Sequence, residues 1–192
     1  MRLVLLGAPG SGKGTQAAML KAELKVPHIS TGDLLRAAVK AGTPLGLKAK
    51  AVMEAGKLVS DEIVLDMLEE RITGADAKNG FILDGYPRNV AQCEALEKLL
   101  ARIGQPLDIA VKLKVPSELI VDRIAGRAAA EGRKDDTPET VRERLRVYAE
   151  QTAPVAEHFR AIGRLRIVDG VGDVDAVFKR ILAALPGELA GA

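Results

Sequence analysis

Short apolar runs alternate with longer amphipathic segments along this chain. The runs 3–6, 81–84, 109–115 and 165–168 are mostly apolar without strict alternation, which is typical of strands buried on both faces. A shorter extended piece spans 26–29. Apolar residues near helical spacing, with glycine, serine and proline at the breaks, predict helices at 13–24, 44–55, 61–73, 90–102, 117–127, 137–153 and 173–185.

Helix boundaries are marked by residues with capping or helix-breaking chemistry. Ser30 and Asp33 have the spacing of a capping box and predict a helix that carries Arg36. The helix predicted at 137–153 is expected to end before Pro154, because proline removes a helical hydrogen bond.

The order of these elements predicts the fold class. Strands that alternate with helices are joined by right-handed crossovers, so the pattern predicts one five-stranded parallel sheet in a three-layer α/β/α fold. The 192 residues suit one such domain with insertions. In this architecture ligands bind at the carboxyl ends of the strands, where 7–15 and 84–88 both fall.

The loop at 7–15 has the composition of a phosphate-binding P-loop. Gly7, Gly10, Gly12 and Gly14 let several backbone N–H groups turn toward one point, and Lys13 adds a full positive charge. The positive end of the following helix adds to the attraction for phosphate. A plain glycine-rich turn between a strand and a helix is the alternative.

This loop departs from the usual phosphate-binding pattern at one position. Gly14 stands where the pattern has serine or threonine, and the hydroxyl comes one place later at Thr15. We therefore expect Mg²⁺ to be held mainly by the nucleotide's phosphates and by waters oriented from nearby side chains.

Composition excludes several classes of function. A net charge of +2, 3% aromatic residues and no tryptophan argue against nucleic acid as a partner. A single cysteine excludes an internal disulfide and a cysteine-based metal cluster, and suits a reducing compartment. No segment reaches membrane-spanning length, and the apolar run at the start is too short for a secretory signal, so we expect a cytoplasmic protein.

Five separated segments carry a resemblance to a known family. They read Gly-Ala-Pro-Gly-Ser-Gly-Lys-Gly-Thr at 7–15, Ser-Thr-Gly-Asp-Leu-Leu-Arg at 30–36, Gly-Lys-Leu-Val at 56–59, Asp-Gly-Tyr-Pro-Arg at 84–88 and Gly-Arg-Lys-Asp-Asp at 132–136. In this order, over nearly the whole chain, they resemble the adenylate kinases. The segments at 30–36 and 84–88 are far more specific than the P-loop alone.

The resemblance implies the reaction ATP + AMP = 2 ADP, with Mg²⁺ bound to ATP. It implies one P-loop kinase domain, 1–192, with a helical AMP-binding insertion at 30–59 and a short lid at 126–136. The lid lacks the length and the cysteines of long-lid members, so no structural zinc is expected. The expected partners are ATP, AMP and ADP, and the expected state is a monomer.

Site residues follow from the resemblance position by position. The implied ATP contacts are Gly10, Ser11, Gly12, Lys13, Gly14, Thr15, Arg127 and Gly172. The implied AMP contacts are Thr31, Arg36, Lys57, Leu58, Val59, Gly85, Tyr86, Pro87, Arg88, Gln92, Arg133 and Arg144. The implied catalytic cations are Lys13, Arg88, Arg123, Arg133 and Arg144. Asp84, together with Asp33 and Thr15, is expected to orient Mg²⁺-bound water.

Structural alternatives exist for some of these residues. Helix capping alone explains Asp33, and a salt-bridged helix face alone explains Arg144. Arg127 and Arg133 flank a segment without apolar periodicity, which favours a functional role. His28 and His158 are interpreted as packing or solvated residues.

Two other functions remain open at the level of sequence. A UMP/CMP kinase has the same fold and differs in few contacts of the second nucleotide site. A non-catalytic P-loop nucleotide-binding module is the alternative from a different class, although a second arginine-rich site has no role in a simple switch.

Overall fold

The computed structural model describes residues 1–131 and 137–187. The described strands are β1 (Arg2–Leu6), β2 (His28–Ser30), β3 (Phe81–Asp84), β4 (Ile109–Lys114) and β5 (Leu165–Asp169). The described helices are α1 (Lys13–Leu24), α2 (Thr31–Lys40), α3 (Pro44–Glu54), α4 (Asp61–Ile72), α5 (Val90–Arg102), α6 (Ser117–Glu131), α7 (Pro138–Val147), α8 (Ala153–Ala161) and α9 (Val174–Ala184). A 3₁₀ turn spans Ala75–Ala77 and a π-helical turn spans Tyr148–Thr152.

The strands form one five-stranded parallel sheet in the order β2-β3-β1-β4-β5. Asp84 at the end of β3 pairs with Leu5 of β1 and with Ser30 of β2. The carboxyl ends of these three strands therefore meet at one edge, where the loops that follow them come together. The predicted five-stranded parallel α/β fold is confirmed.

Helices cover both faces of the sheet because alternate strand residues point to opposite sides. Val4, Leu83 and Ala110 share one buried cluster with Leu96 of α5 and Phe159 of α8. On the other face, the buried cluster contains Leu5, Ile82 and Val111 from the strands, with Leu20 of α1 and Ile181 of α9. Burial on both faces explains the apolar runs at β1, β3 and β4. The same expectation was wrong for the run at 165–168, because β5 is an edge strand in which only Val168 is buried and Ile167 is 50% exposed.

The helix starts follow the capping chemistry of the sequence. The hydroxyl of Ser30 accepts a hydrogen bond from the backbone N–H of Asp33 at 3.2 Å, which confirms the predicted start of α2. Thr137 caps α7 in the same way, and Pro138 follows it in the first turn. Between β2 and β3, the helices α2, α3 and α4 form the all-helical stretch that contains the predicted insertion.

Two predicted helix ends were wrong. The helix that starts near Thr137 does not end at Ala153, because a π turn leads directly into α8, with Pro154 in its first turn. Proline is tolerated in the first turn of a helix, where its missing N–H removes no intrahelical bond. The preceding Ala153 N–H bonds to the Tyr148 carbonyl, five residues back, which is the π pattern. The helix α6 continues past Arg127 to Glu131, through three alanines that favour helix.

None of the helices in the described ranges is both long enough and apolar enough to cross a membrane.

Candidate active site

The loop between β1 and α1 gathers positive charge at the start of α1. Gly12 precedes the helix with a φ of 94°, a left-handed conformation that suits glycine. Within the described residues no side chain caps α1, so its first N–H groups can serve a bound anion. The Lys13 ammonium donates hydrogen bonds to the carbonyl oxygens of Gly7 at 2.8 Å and Ala8 at 3.1 Å. The loop thus presents backbone N–H groups and an ammonium to the same space.

A large cleft of about 1130 Å³ lies over this loop at the carboxyl edge of the sheet. Its walls come from the loop itself, from the ends of β2 and β3, from α6 and from the turn between β5 and α9. The predicted ATP contacts that line it are Gly10, Ser11, Gly12, Lys13, Gly14, Thr15 and Gly172. The structure therefore brings the N-terminal loop and Gly172 to one cavity.

The residues predicted to orient Mg²⁺-bound water, Thr15, Asp33 and Asp84, line the same cleft. Burial raises the pKa of the Asp84 carboxyl, but a hydrogen bond with His28 and the charges of Lys13 and Arg88 outweigh burial and hold that pKa below its ordinary value. Asp84 is therefore ionised at neutral pH. Carboxylate and hydroxyl oxygens are the hard donors that Mg²⁺ prefers, so these residues fit a hydrated Mg²⁺.

A second, smaller pocket of about 50 Å³ adjoins the cleft. It lies between α2, the loop after α3, the segment after β3 and the start of α5. The predicted AMP contacts that line it are Thr31, Arg36, Lys57, Leu58, Val59, Gly85, Arg88, Gln92 and Arg144. Residues far apart in sequence thus meet in one pocket, as the resemblance implies.

Two other predicted AMP contacts lie outside this pocket. Pro87 lines the large cleft instead. Tyr86 lines neither cavity: it is 1% exposed and its hydroxyl donates to the Gln92 carbonyl at 3.3 Å. Burial raises the pKa of Tyr86, so the hydroxyl stays protonated as a donor.

Hydrogen bonds at both polar atoms of the Gln92 side chain fix its orientation. Its Nε2 donates to Asp61 Oδ1 at 2.8 Å, and its Oε1 accepts from the Arg88 backbone N–H at 2.6 Å. Asn89 Nδ2 also donates to Asp61, at 3.1 Å. The start of α5 is therefore tied to the start of α4 beside the small pocket.

Arginines concentrate where the two cavities meet. Arg36, Arg88 and Arg144 line both the cleft and the small pocket. Arg88 Nε donates to the Gly85 carbonyl at 2.7 Å, which turns its side chain back along the segment after β3. Arg36 forms an ion pair with Asp33 at 2.5 Å. Positive charge is thus brought to the boundary between the cavities from three separate elements.

Arg123 joins two walls of the cleft. It lies on α6 and donates to the Ser11 carbonyl at 3.3 Å and to the Gly170 carbonyl at 3.2 Å. The cation thereby connects the N-terminal loop to the turn after β5.

Some predicted site residues cannot be placed. Arg133 and the lid positions 132–136 lie outside the described residues, as does the side chain of Arg127. Their roles stay predictions.

Three residues that shape the site were not predicted from the sequence. Asp61 anchors Gln92. Thr152 donates its hydroxyl to the Arg88 carbonyl at 2.7 Å, and Tyr148 lines the cleft one turn earlier. Asp61 and Gln92 are 31 positions apart in sequence and Arg88 and Thr152 are 64 positions apart, so neither pair leaves a local pattern.

The sheet order, the glycine-rich loop and the cleft above the strand ends define the class of protein. An anion-binding loop between the first strand and the first helix of a parallel sheet is the arrangement of P-loop nucleotide-binding proteins. The arginine-rich boundary with a second pocket indicates phosphate chemistry between two ligands.

Comparison with known proteins places the chain within this class. Residues 5–164 match the family described as adenylate kinase. The adenylate kinase of Xanthomonas campestris pv. campestris (strain B100) is 67% identical over 185 residues, 96% of this chain and 99% of that protein. The adenylate kinase of Stenotrophomonas maltophilia (strain R551-3) is 64% identical over 187 residues, 97% of this chain and 100% of that protein. The chain belongs to the adenylate kinase family.

Family membership settles the type of reaction. The chain is a phosphotransferase of the adenylate kinase type, as the sequence motifs implied. Neither a UMP/CMP kinase nor a non-catalytic nucleotide-binding module is favoured by these comparisons.

Proposed function

We propose that the large cleft binds ATP, that the small pocket together with the adjoining part of the cleft binds AMP, and that the phosphoryl group passes between the two nucleotides at the arginine-rich boundary. The observation that carries this assignment is the position of Arg36, Arg88 and Arg144, which line both cavities. A phosphate at that boundary meets guanidinium groups from α2, from the segment after β3 and from α7. Planar guanidinium groups bind phosphate oxygens two at a time.

On the ATP side, the first N–H groups of α1 and the Lys13 ammonium hold the triphosphate. Arg123 keeps the N-terminal loop and the turn at Gly170 together through its two carbonyl contacts. Gly172, whose φ is 114°, presents its backbone to the cleft near the end of that turn. These contacts support ATP as the occupant of the large cleft.

On the AMP side, the insertion at 30–59 supplies most of the pocket. Thr31 lines the pocket and donates its hydroxyl to the Gly85 carbonyl at 2.9 Å, which joins the insertion to the segment after β3. Gln92 offers an amide edge suited to an adenine base. Lys57, Leu58 and Val59, which follow α3, also line the pocket.

Catalysis in this arrangement rests on alignment and fixed positive charge. The acceptor is an ionised phosphate oxygen, so the reaction needs no general base. Lys13, Arg88, Arg123 and Arg144 surround the path of the phosphoryl group, and Arg133 joins them by family position. Preorganised charges of this kind each contribute roughly 10²- to 10³-fold to turnover.

Mg²⁺ is the metal that fits the cleft. Bound with ATP, it neutralises phosphate charge. Asp84, held ionised by its neighbours, orients the waters of the ion, and Asp33 and Thr15 offer further oxygens on the same wall. No structural zinc is part of the proposal.

The wider role follows from the reaction. Interconversion of ATP, AMP and ADP supports adenine nucleotide homeostasis and salvage, and the low net charge favours no nucleic-acid partner. One cysteine suits the reducing cytoplasm. We propose a monomer whose lid at 126–136 and insertion at 30–59 close over the nucleotides, so that ATP is not lost to water.

The test is ADP formation from Mg-ATP with AMP, UMP, CMP, GMP or dTMP in turn. A strong preference for AMP is expected, together with a large loss of turnover in Lys13→Met and Arg88→Ala. Arg142→Ala is the matched control, because Arg142 lies on α7 near Arg144 but is 73% exposed and pairs with Glu139. Preference for UMP or CMP would overturn the AMP assignment, and wild-type turnover in Arg88→Ala would overturn the transfer site.

A further inference from the structure

Thr152 contacts the backbone of a proposed catalytic cation from a distant helix. It is the last residue of the π turn Tyr148–Thr152, and it lines the large cleft. Its hydroxyl donates to the Arg88 carbonyl oxygen at 2.7 Å. This short hydrogen bond joins the turn before α8 to the segment after β3.

Arg88 lies in a segment that belongs to neither a strand nor a helix. Its backbone N–H and its backbone carbonyl each form a hydrogen bond with a side chain and not with another backbone group. Its N–H donates to Gln92 Oε1 at 2.6 Å, and its carbonyl accepts from Thr152. These two bonds fix the peptide groups from which the guanidinium extends.

The π turn accounts for the position of the hydroxyl. A π turn contains one residue more than an α turn. The residues that follow it therefore occupy different positions around the helix axis than they would in an uninterrupted α-helix of the same sequence. At the amino-terminal end of the turn Val147 and Tyr148 line the cleft, and after its carboxyl end Val155 and Phe159 are buried in the core. Thr152 lies between these two faces, directed at Arg88.

We propose that Thr152 is a positioning residue for phosphoryl transfer, which acts by holding the Arg88 backbone so that the guanidinium stays at the boundary of the two cavities. The inference rests on the proposed function, since Arg88 must act on the transferred phosphate. A charge that is already in place when the transition state forms needs no reorganisation, so small displacements of its backbone lower turnover.

The test compares Thr152→Val with Thr152→Ser. Valine keeps the shape and loses the donor, whereas serine keeps the donor. Thr152→Val is expected to lower kcat about threefold to tenfold, with each nucleotide's KM changed less than about threefold, and Thr152→Ser to restore most of the loss. Thr73→Val is the matched control, since the Thr73 hydroxyl donates to the Glu69 carbonyl at the exposed end of α4.

A double-mutant cycle separates positioning from general damage. If Thr152 acts through Arg88, Thr152→Val has no further effect on kcat in the Arg88→Ala background. An equal loss in both backgrounds, or no rescue by serine, would overturn the inference. Wild-type kcat in Thr152→Val, with Arg88→Ala impaired, would overturn the inference and leave the proposed function standing. Wild-type kcat in Arg88→Ala would overturn both.

Discussion

Lys13 Nζ lies 2.8 Å from the carbonyl oxygen of Gly7, so the ammonium of the phosphate-binding loop is held by the backbone of that loop. This hydrogen bond fixes the direction of the ammonium relative to the backbone of the loop that is proposed to bind phosphate.

Lys13→Met is expected to lower kcat/KM for ATP by roughly 10²- to 10³-fold, because methionine keeps the apolar stem and removes the charge. Steady-state ADP formation at varied ATP measures the loss. Lys21→Met is the control, since Lys21 is an exposed lysine on the same helix. Comparable activity in the two variants would contradict a phosphate-binding role for Lys13.

Gln92→Ala is expected to raise the KM for AMP about tenfold or more while the KM for ATP changes little. The amide lines the small pocket and is oriented by Asp61 and by the Arg88 N–H. The measurement is initial rate with each nucleotide varied separately. Gln105→Ala is the control, because Gln105 accepts a hydrogen bond from Arg2 at the far end of the sheet. A rise confined to the KM for ATP would reverse our assignment of the two cavities.

Asp84→Asn is expected to raise the Mg²⁺ concentration for half-maximal rate about tenfold. The neutral amide is a weaker partner for metal-bound water than a carboxylate whose pKa lies below its ordinary value. The same shift should appear in Mn²⁺ binding to the ATP complex, followed by electron paramagnetic resonance. Asp66→Asn, at an exposed position on α4, provides the comparison. An unchanged metal requirement would exclude Asp84 from the metal site.

Cys93 makes folding stability depend on pH in the alkaline range. Burial, followed by the nearby Glu97 charge, raises the pKa of the thiol to about 12. Below the pKa of an unfolded cysteine, about 8.5, both states hold the proton and no effect is expected. Above it the unfolded chain releases the proton first, so stability falls with rising pH, by at most about 1.4 kcal/mol per pH unit.

Cys93→Ala should therefore lose less stability than the wild type between about pH 8.5 and 10.5, whatever its stability at neutral pH. Urea unfolding at several pH values gives both slopes. Parallel slopes would show that the buried thiol does not titrate as its environment implies.

The elements that sequence predicted well are those set by local chemistry. Four of the five strands follow from apolar runs, and Ser30 begins α2 because its hydroxyl reaches the Asp33 N–H within one turn. The predicted helix end before Pro154 was wrong, because the effect of a proline depends on the geometry of the preceding turn, which no local rule specifies.

The same distinction between local and long-range features holds for the candidate site. The P-loop and the segment at 84–88 can be identified because each is contiguous. The pairs Asp61–Gln92 and Thr152–Arg88 depend on how separate helices pack, and hydrogen bonds of this kind leave no periodic signature.

The π turn also sets where the continuous helical segment from Pro138 to Ala161 can change in length. The turn holds one residue more than an α turn over nearly the same rotation about the helix axis. Removing one residue within it would therefore restore a regular α-helix and leave Val155 and Phe159 in the core, while Thr152 would move relative to Arg88. A deletion or insertion elsewhere in the segment, which no such turn absorbs, would rotate everything beyond it by about 100°.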